Sequence, residues 1–315
     1  MSESTVKVES MVKSPFLPPG RKKYSLKLNA GHVRKNRTDF SIYLRSAVYA
    51  CACITLGILV FMLGYILVKG LPFLNRDLFN LHYTSENCSV IPALVNTLVM
   101  TVLALLIACP LGIGSAIYLV EYSSKSNRFV KAVSLTTETL AGIPSIIYGL
   151  FGMLLFVNFL HWGYSIIAGS WTVAIMILPT VMRTTQEALL AVPESYREGS
   201  FGLGASKLRT VFKIILPSAM PGIFSGIILA CGRIVGETAA LIYTAGTVAQ
   251  IPADLFGSGR TLAIHMYLLS SEGLHTNQAF ASAVILLAMV IVINSMSSAL
   301  MKKLGNKSVN GTSKN

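Results

Sequence analysis

The chain has 315 residues, 53% of them hydrophobic and only 12% charged, and its formal net charge is +13. Soluble domains carry about one charged residue in four, so the composition excludes an ordinary soluble globular protein. A net charge of this size would suit nucleic acid if the basic residues formed one surface, and their distribution along the chain therefore decides its meaning.

Six apolar segments are each close to or longer than the roughly 20 residues that cross a hydrocarbon layer about 30 Å thick. The sequence therefore predicts an all-α membrane protein with six transmembrane helices. The first segment begins too late and runs too long for a cleaved secretory signal, so we expect it to remain as an anchor. The six segments are residues 46–68, 92–120, 134–160, 164–182, 221–246 and 279–301.

The lysines and arginines concentrate in alternate connections between these segments. Those before the first segment, after the second and the fourth, and in the C-terminal tail account for 22 of the 26. Because cytoplasmic loops carry the excess of basic residues, both termini are predicted to face the cytoplasm. Orientation explains the charge, and we expect no nucleic-acid partner.

The chain divides into a membrane core and flanking regions. Residues 1–45 lack helical periodicity and are predicted to form a basic, disordered cytoplasmic tail resting near anionic membrane lipid. The first transmembrane helix and its outer loop occupy 46–90, the core occupies 91–302, and a cytoplasmic tail follows at 303–315. Within the core, the connection 183–216 has apolar residues at helical intervals around several glycines, which predicts two short helices.

Proline and glycine interrupt four of the six apolar segments, and the helix-breaking candidates include Pro110, Pro144 and Pro179. A single such residue is common in membrane helices. Four interrupted segments favour helices that line a pathway and rearrange, because neighbouring protein or a water-filled cavity must satisfy the freed backbone groups.

The fifth apolar segment contains two charged residues, Arg233 and Glu237. In a helix continuous from Pro221, they would share one face and reach each other, and Gly232 and Gly236 would admit a neighbouring helix. A charge near the membrane centre costs at least about 2.5 kcal/mol. The pair is therefore either a buried ion pair that fixes packing, or part of an anion pathway. In the second case the guanidinium would bind a tetrahedral oxyanion and the carboxylate would hold that guanidinium or accept a proton.

A motif in the connection 183–216 identifies a family. Its spacing resembles the E-A-A-x3-G-x9-I-x-L-P loop of permease subunits in bacterial binding-protein-dependent ABC importers, with glycine and serine in place of the two alanines. In that family the loop docks into a groove of the cytoplasmic ATPase. The matching residues are Glu198, Gly199, Ser200, Gly204, Ile214, Leu216 and Pro217.

The stretches 109–122, 140–152 and 232–246 are further similar to the A-type (PstA-like) permease family of phosphate-specific importers. The C-type permeases share the Arg-x-x-Gly-Glu-Thr pattern, but the continuation Ala239-Ala240-Leu241 and a short first outer loop favour the A type. The resemblance extends over about residues 65–303, and the long N-terminal tail is atypical.

This resemblance implies a type I ABC importer permease fold in a bacterial inner membrane, with both termini inside. It places Arg233, Glu237 and Thr238 on a path for inorganic phosphate. It also implies three partners: a second, C-type permease, a cytoplasmic ATPase dimer and an extracytoplasmic phosphate-binding protein.

The chain itself has no phosphate-binding loop of the form G-x-x-x-x-G-K-[ST], and the stretch at 202–207 lacks that spacing. We therefore expect no bound cofactor, no metal and no enzymatic activity here, with ATP and Mg²⁺ used by the partner ATPase. One alternative is another substrate in the same architecture, either an oxyanion such as sulfate or molybdate, or an amino acid or other small polar solute. A remoter one is a membrane-embedded enzyme, but His161, His265 and His275 lack a companion nucleophile or metal-ligand spacing.

Overall fold

The computed structural model describes residues 30–123 and 128–311, and every regular element in these two ranges is helical. The α-helices are α1 (Ala30–Gly70), α2 (Ile91–Ile117), α3 (Arg128–Ala141), α4 (Ser145–Gly152), α5 (Ile166–Leu190), α6 (Glu194–Gly202), α7 (Lys207–Thr210), α8 (Leu216–Val235), α9 (Ala239–Ile242), α10 (Leu262–Glu272) and α11 (Thr276–Gly311). Two short 3₁₀ helices, Leu71–Phe73 and Arg76–Phe79, follow α1. Three π-helical turns extend or join helices: Tyr118–Tyr122 after α2, Met153–Phe159 after α4 and Val211–Ile215 between α7 and α8.

Five helical stretches of the described chain are long and apolar enough to cross a membrane, and α3 with α4 makes a sixth if this bent pair counts as one span. The prediction of an all-α protein with six membrane-length segments is therefore confirmed in composition and length. The five stretches are Ser41–Phe73, Ile91–Tyr122, Ile166–Leu190, Lys207–Val235 and Thr276–Ala299.

The segment 134–160 is broken at Pro144, one of the helix-breaking candidates: its two halves, Val130–Ala141 and Ser145–Phe159, meet at 102°. Pro144 lies at the break and is the N-cap of α4, with extended ψ of 140°. Proline lacks an N–H and disfavours helical geometry in the residue before it, so the chain turns here.

Pro110 and Pro179 do not break their helices, contrary to the prediction. Each lies inside a continuous α-helix, α2 and α5 respectively. Membrane helices tolerate proline where neighbouring groups compensate for the lost hydrogen bond. A role for these two prolines in a pathway stays a prediction.

The chain falls into two units, residues 1–60 and 61–315. In the first unit α1 begins at Ala30, so part of the region 1–45 is helical and not disordered, and residues 1–29 of that prediction lie outside the described chain. In the second unit α11 runs to Gly311, so most of the predicted tail 303–315 is helical as well.

The core of the second unit is built by α2, α5 and α8. Small side chains let α8 approach α5 closely: a Cβ on Gly222 would lie 2.6 Å from the Cβ of Ala188, and one on Gly226 would overlap the Thr184 hydroxyl. Such small-residue contacts are how membrane helices gain packing energy without a hydrophobic drive between them. The buried apolar side chains between the three helices include Met100, Ala104, Ala108, Val173, Ile177, Ala230 and Ile234.

The two ends of this bundle differ. We call the end that carries the connection 190–207 the α6 end, where an apolar cluster joins the last turns of α2 and α5 to the start of α8. At the opposite, α10 end, a second cluster joins the loop before α2 to α10 and α11. The α6-end cluster includes Ile117, Leu189, Val192, Val211 and Ile215.

Candidate functional site

Arg233 lies in the last turn of α8 and is partly exposed. Among the described residues its hydrogen-bond partner is Thr180 of α5, whose hydroxyl accepts from Nη1 at a long distance of 3.4 Å. The position has a physical reason, because the carbonyl end of a helix carries partial negative charge and favours a cation. The guanidinium therefore sits where α8 ends against α5, with most of its donors uncommitted to an acidic group.

The predicted pair of Arg233 and Glu237 is wrong. Helix α8 ends at Val235 with Gly236 as its C-cap, so the two charged side chains do not belong to one continuous helix. Glu237 is 8% exposed, and its Oε1 accepts the backbone N–H of Ala240 at 3.1 Å. The three ion pairs of the described chain include neither residue. A carboxylate that binds a free N–H in the first turn of α9 competes with continuation of α8, which explains the break.

The close approach of a neighbouring helix, expected at Gly232 and Gly236, is also absent from the described part of the chain. A Cβ on Gly232 would meet nothing within 4 Å, and one on Gly236 would contact only the carbonyl of Gly232 in its own helix, at 3.6 Å. The approach occurs instead at Gly222 and Gly226, nearer the start of α8. Their four-residue spacing in the stretch PGIFSG is the sequence signal that predicts it.

Thr238 lies in the wall of an apolar groove of about 840 Å³. Residues of α9, α10 and α11 form most of this wall, and neither Arg233 nor Glu237 contributes to it. The Thr238 hydroxyl donates to the carbonyl of Gly236 at 3.4 Å. The structure thus places the three predicted path residues at consecutive points of the α8–α9 break and does not bring their side chains together.

The family motif maps onto α6, the turn after it and the start of α8. Glu198 and Gly199 are exposed on α6, whereas Ser200 is buried and shares a hydrogen bond of 2.8 Å with the Thr210 hydroxyl. Gly204 has φ of +78°, and a Cβ added to it would meet nothing within 4 Å. The turn therefore needs glycine for its conformation and not for room. The two predicted short helices of this connection are confirmed as α6 and α7.

The remaining motif residues anchor this connection to the bundle. Ile214 and Leu216 are partly buried and pack on the α6-end cluster, and Pro217 lies in the first turn of α8, directly after the π-helical turn. The turn after α6 and the start of α7 instead present apolar side chains to the outside, with Leu203 91% and Leu208 64% exposed.

Sequence reasoning missed an ion pair with largely buried side chains at the α6 end. Arg197 of α6 contacts Glu121, in the π-helical turn after α2, at 2.7 Å, and the two side chains are 11% and 7% exposed. Hydrogen bonding to this carboxylate raises the pKa of Arg197 above its usual range. A lone acidic residue at the end of a long apolar segment was the available signal for it.

A second missed cluster lies at the α10 end. The Arg260 guanidinium stands 4.5 Å from the ring centre of Tyr83, and His265 meets the same ring edge-to-face at 6.0 Å. His265 is fully buried, and burial first and Arg260 second lower its pKa to about 3. The described residues include no group of three metal-ligating side chains, and His161 and His275 do not join this cluster.

Known proteins resemble this chain in sequence. Residues 108–308 match the family described as Binding-protein-dependent transport system inner membrane component. The chain is 33% identical over 267 residues to the probable ABC transporter permease protein YqgI of Bacillus subtilis (strain 168), covering 78% of this chain and 89% of YqgI. It is 32% identical over 250 residues to the phosphate transport system permease protein PstA of Haemophilus influenzae, covering 78% and 88%. It is 37% identical over 205 residues to PstA 1 of Mycobacterium tuberculosis (strain ATCC 25618 / H37Rv), covering 64% and 66%.

Solved structures share the fold. An inward-facing MetNI methionine ABC transporter gives a TM-score of 0.58 at 20% identity, covering 68% of this chain and 95% of that one. A bacterial alginate ABC transporter, solved with an alginate pentasaccharide-bound periplasmic protein, gives 0.59 at 15% identity, covering 87% and 97%. These identities show the fold alone, and the predicted type I ABC importer permease fold is confirmed.

Helices of membrane length around this core define an integral, multi-pass membrane component of an ABC importer. The chain belongs to the inner-membrane permease family of binding-protein-dependent transport systems. It is a transport subunit and not an enzyme, and ATP hydrolysis is carried out by a separate ATPase. The family therefore excludes the alternative hypothesis of a membrane-embedded enzyme.

Proposed function

We propose that this permease subunit is the A-type half of a phosphate importer, which moves inorganic phosphate across a bacterial inner membrane by alternating access. The observation that carries the proposal is the state of Arg233. Its guanidinium lies at the end of a membrane-length helix with a neutral hydroxyl as its partner, and no carboxylate of the described chain pairs with it. A planar fork with free N–H groups suits the oxygens of a tetrahedral anion.

Glu237 takes a different role in this proposal from the one its spacing indicated. Its carboxylate holds the first turn of α9 through Ala240 and so fixes the break that frees the end of α8. Thr238, next along the chain, continues the path at the same break. A negative charge held away from Arg233 leaves the guanidinium available to phosphate.

The proposed assembly has this chain beside a C-type permease, with an ATPase dimer on the α6 end and a phosphate-binding protein on the α10 end. The exposed apolar turn at Leu203 supports docking at the α6 end. The chain binds no cofactor in this scheme, ATP and Mg²⁺ belong to the ATPase, and both termini lie in the cytoplasm with the basic tail near membrane lipid.

Other substrates are the competing possibility, since solved transporters with this fold are described as methionine and alginate transporters. The relatives named as phosphate permeases favour phosphate. Sulfate and phosphate differ chiefly in their protonation, so the choice between oxyanions is tested by transport and not by geometry.

The first prediction concerns Arg233. In a transporter reconstituted with its ATPase, second permease and binding protein, Arg233→Gln should lower phosphate uptake by about a hundredfold or more, as expected for a lost charge contact of about 3 kcal/mol. Arg233→Lys keeps the charge without the fork and should give an intermediate rate. Uptake of labelled phosphate into proteoliposomes measures both.

Arg183→Gln is the matched control, since Arg183 is 58% exposed and forms a surface pair with Glu187. Such pairs contribute little, so uptake should be unchanged. Wild-type uptake by the Arg233→Gln transporter would overturn the role of Arg233. Uptake of sulfate or molybdate in preference to phosphate by the wild type would overturn the substrate.

A further inference from the structure

Arg197 is the most fully bonded side chain at the α6 end. Its Nη2 donates to Glu121 Oε1 at 2.7 Å and to the Leu189 carbonyl at 3.0 Å, and its Nε donates to the same carboxylate at 3.3 Å. Its Nη1 donates to the Val192 carbonyl at 3.1 Å and to Glu194 Oε2 at 3.2 Å. A guanidinium has five N–H groups, and each of the three nitrogens is engaged here.

These bonds reach three separate elements. Glu121 stands in the π-helical turn that ends α2, Leu189 is in the last turn of α5, and Glu194 opens α6 itself. Such π-helical turns are frequent at functional positions in helices. One side chain therefore joins α6 to the ends of two of the three helices that form the core.

Few other contacts tie α6 to the bundle. Ser200 is the buried residue of this helix, and its hydroxyl bond leads to Thr210 of α7. Tyr196, Glu198 and Phe201 are exposed. A displacement of α6 would thus reach α2 through Arg197, and it would reach α5 through Arg197 and through the short connection 191–193.

We propose that Arg197 is a positioning residue that makes α6 move as one body with the ends of α2 and α5. Motion imposed on α6 then reaches the α5–α8 contact, where Arg233 meets Thr180. A largely buried, bidentate, charge-assisted pair suits this task because it fixes direction as well as distance. The inference rests on the proposed docking of the ATPase at α6, and it does not depend on which solute is carried.

The test compares Arg197→Lys and Glu121→Gln with wild type in the complete reconstituted transporter. Lysine at position 197 keeps the positive charge but lacks the planar guanidinium group that makes two parallel hydrogen bonds. Glutamine at position 121 keeps the shape of the side chain but loses its negative charge. We expect the solute moved per ATP hydrolysed to fall about tenfold, a typical size for coupling between two sites, while the ATPase still co-purifies and basal hydrolysis continues. The double variant should lose no more than the worse single variant, because both break the same link.

Two further variants keep the test decisive. Glu187→Gln, which breaks the exposed pair at 3.1 Å on α5, is the charge-matched control and should leave the ratio unchanged. Glu121→Asp shortens the side chain but keeps its charge, so it should keep part of the wild-type ratio of solute moved to ATP hydrolysed. It replaces Glu121→Gln if that variant assembles poorly.

The proposal is overturned if the assembled variants keep the wild-type ratio, or if the ratio falls only in step with loss of the bound ATPase. The wild-type arm tests the substrate separately. If wild type hydrolyses ATP in response to its binding protein but moves no phosphate, the substrate assignment fails. In that case the variants are compared with wild type by the ATP hydrolysis that the binding protein stimulates.

Discussion

At the scale of single residues, Arg233 and Arg197 differ in what their guanidinium groups contact. Arg233 has one long hydrogen bond, whereas all three guanidinium nitrogens of Arg197 are hydrogen-bonded and its side chain is only 11% exposed. The same side chain type thus serves two purposes, and the difference lies in its neighbours. A carboxylate lies 2.7 Å from Arg197, whereas the partner of Arg233 is the neutral hydroxyl of Thr180, and the proposed phosphate contact relies on this difference.

His265 leads to a prediction about pH. Its pKa is lowered to about 3 in the folded protein by burial and by Arg260, whereas the usual value is 6.5. Between these two values the unfolded chain binds one more proton, so stability is retained above pH 6.5 and falls as the pH drops. The loss should reach about 1.4 kcal/mol per pH unit, and the thermal unfolding temperature of the purified complex between pH 7 and pH 5 measures it.

Replacing His265 with Phe keeps a ring beside Tyr83 and removes the titrating group, so the unfolding temperature should depend less on pH. The exposed His161, replaced in the same way, is the control and should leave the pH dependence as in wild type. An unchanged pH dependence in His265→Phe would contradict the assignment.

At the scale of helices, the contact of α8 with α5 depends on glycine at two positions of one face. Alanine normally stabilises a helix by about 1 kcal/mol relative to glycine. At Gly222 the new Cβ would lie 2.6 Å from that of Ala188, which has no rotamer to change. Gly222→Ala should therefore destabilise the protein by about 1–3 kcal/mol, the usual cost of overpacking.

Gly232→Ala is the matched control, because the space around that position is open. It should leave the thermal unfolding temperature unchanged or raise it slightly. Equal effects of the two substitutions would show that helix propensity, and not the approach of α8 to α5, dominates at both positions.

The helices also show which parts of the fold the sequence predicts. Apolar length predicted the membrane helices, and motif spacing predicted the α6 connection, since both depend on residues close in the chain. The bend at Pro144 follows from a proline that the sequence shows, whereas the break at Gly236 depends on local competition for backbone N–H groups, which composition does not reveal. Contacts such as Arg197 with Glu121 join residues 76 positions apart, and no local pattern encodes them.

At the scale of the whole molecule, two exposed leucines mark opposite ends of the second unit. Leu203 is 91% exposed in the turn after α6, and Leu274 is 82% exposed between α10 and α11. The distribution of basic residues predicts that the first end is cytoplasmic and the second is outside. A large exposed apolar side chain at the first end also fits a docking contact.

The last prediction combines orientation with docking. Leu203→Cys and Leu274→Cys are made in a background in which the exposed Cys51 and Cys53 are serine. In spheroplasts, a membrane-impermeant maleimide should label position 274 and not position 203. In inverted vesicles the pattern should reverse, and labelling at 203 should drop when the ATPase is bound, because an apolar side chain in a protein groove loses contact with water. Labelling of position 203 from outside would contradict the orientation, and equal labelling with and without the ATPase would contradict docking at this turn.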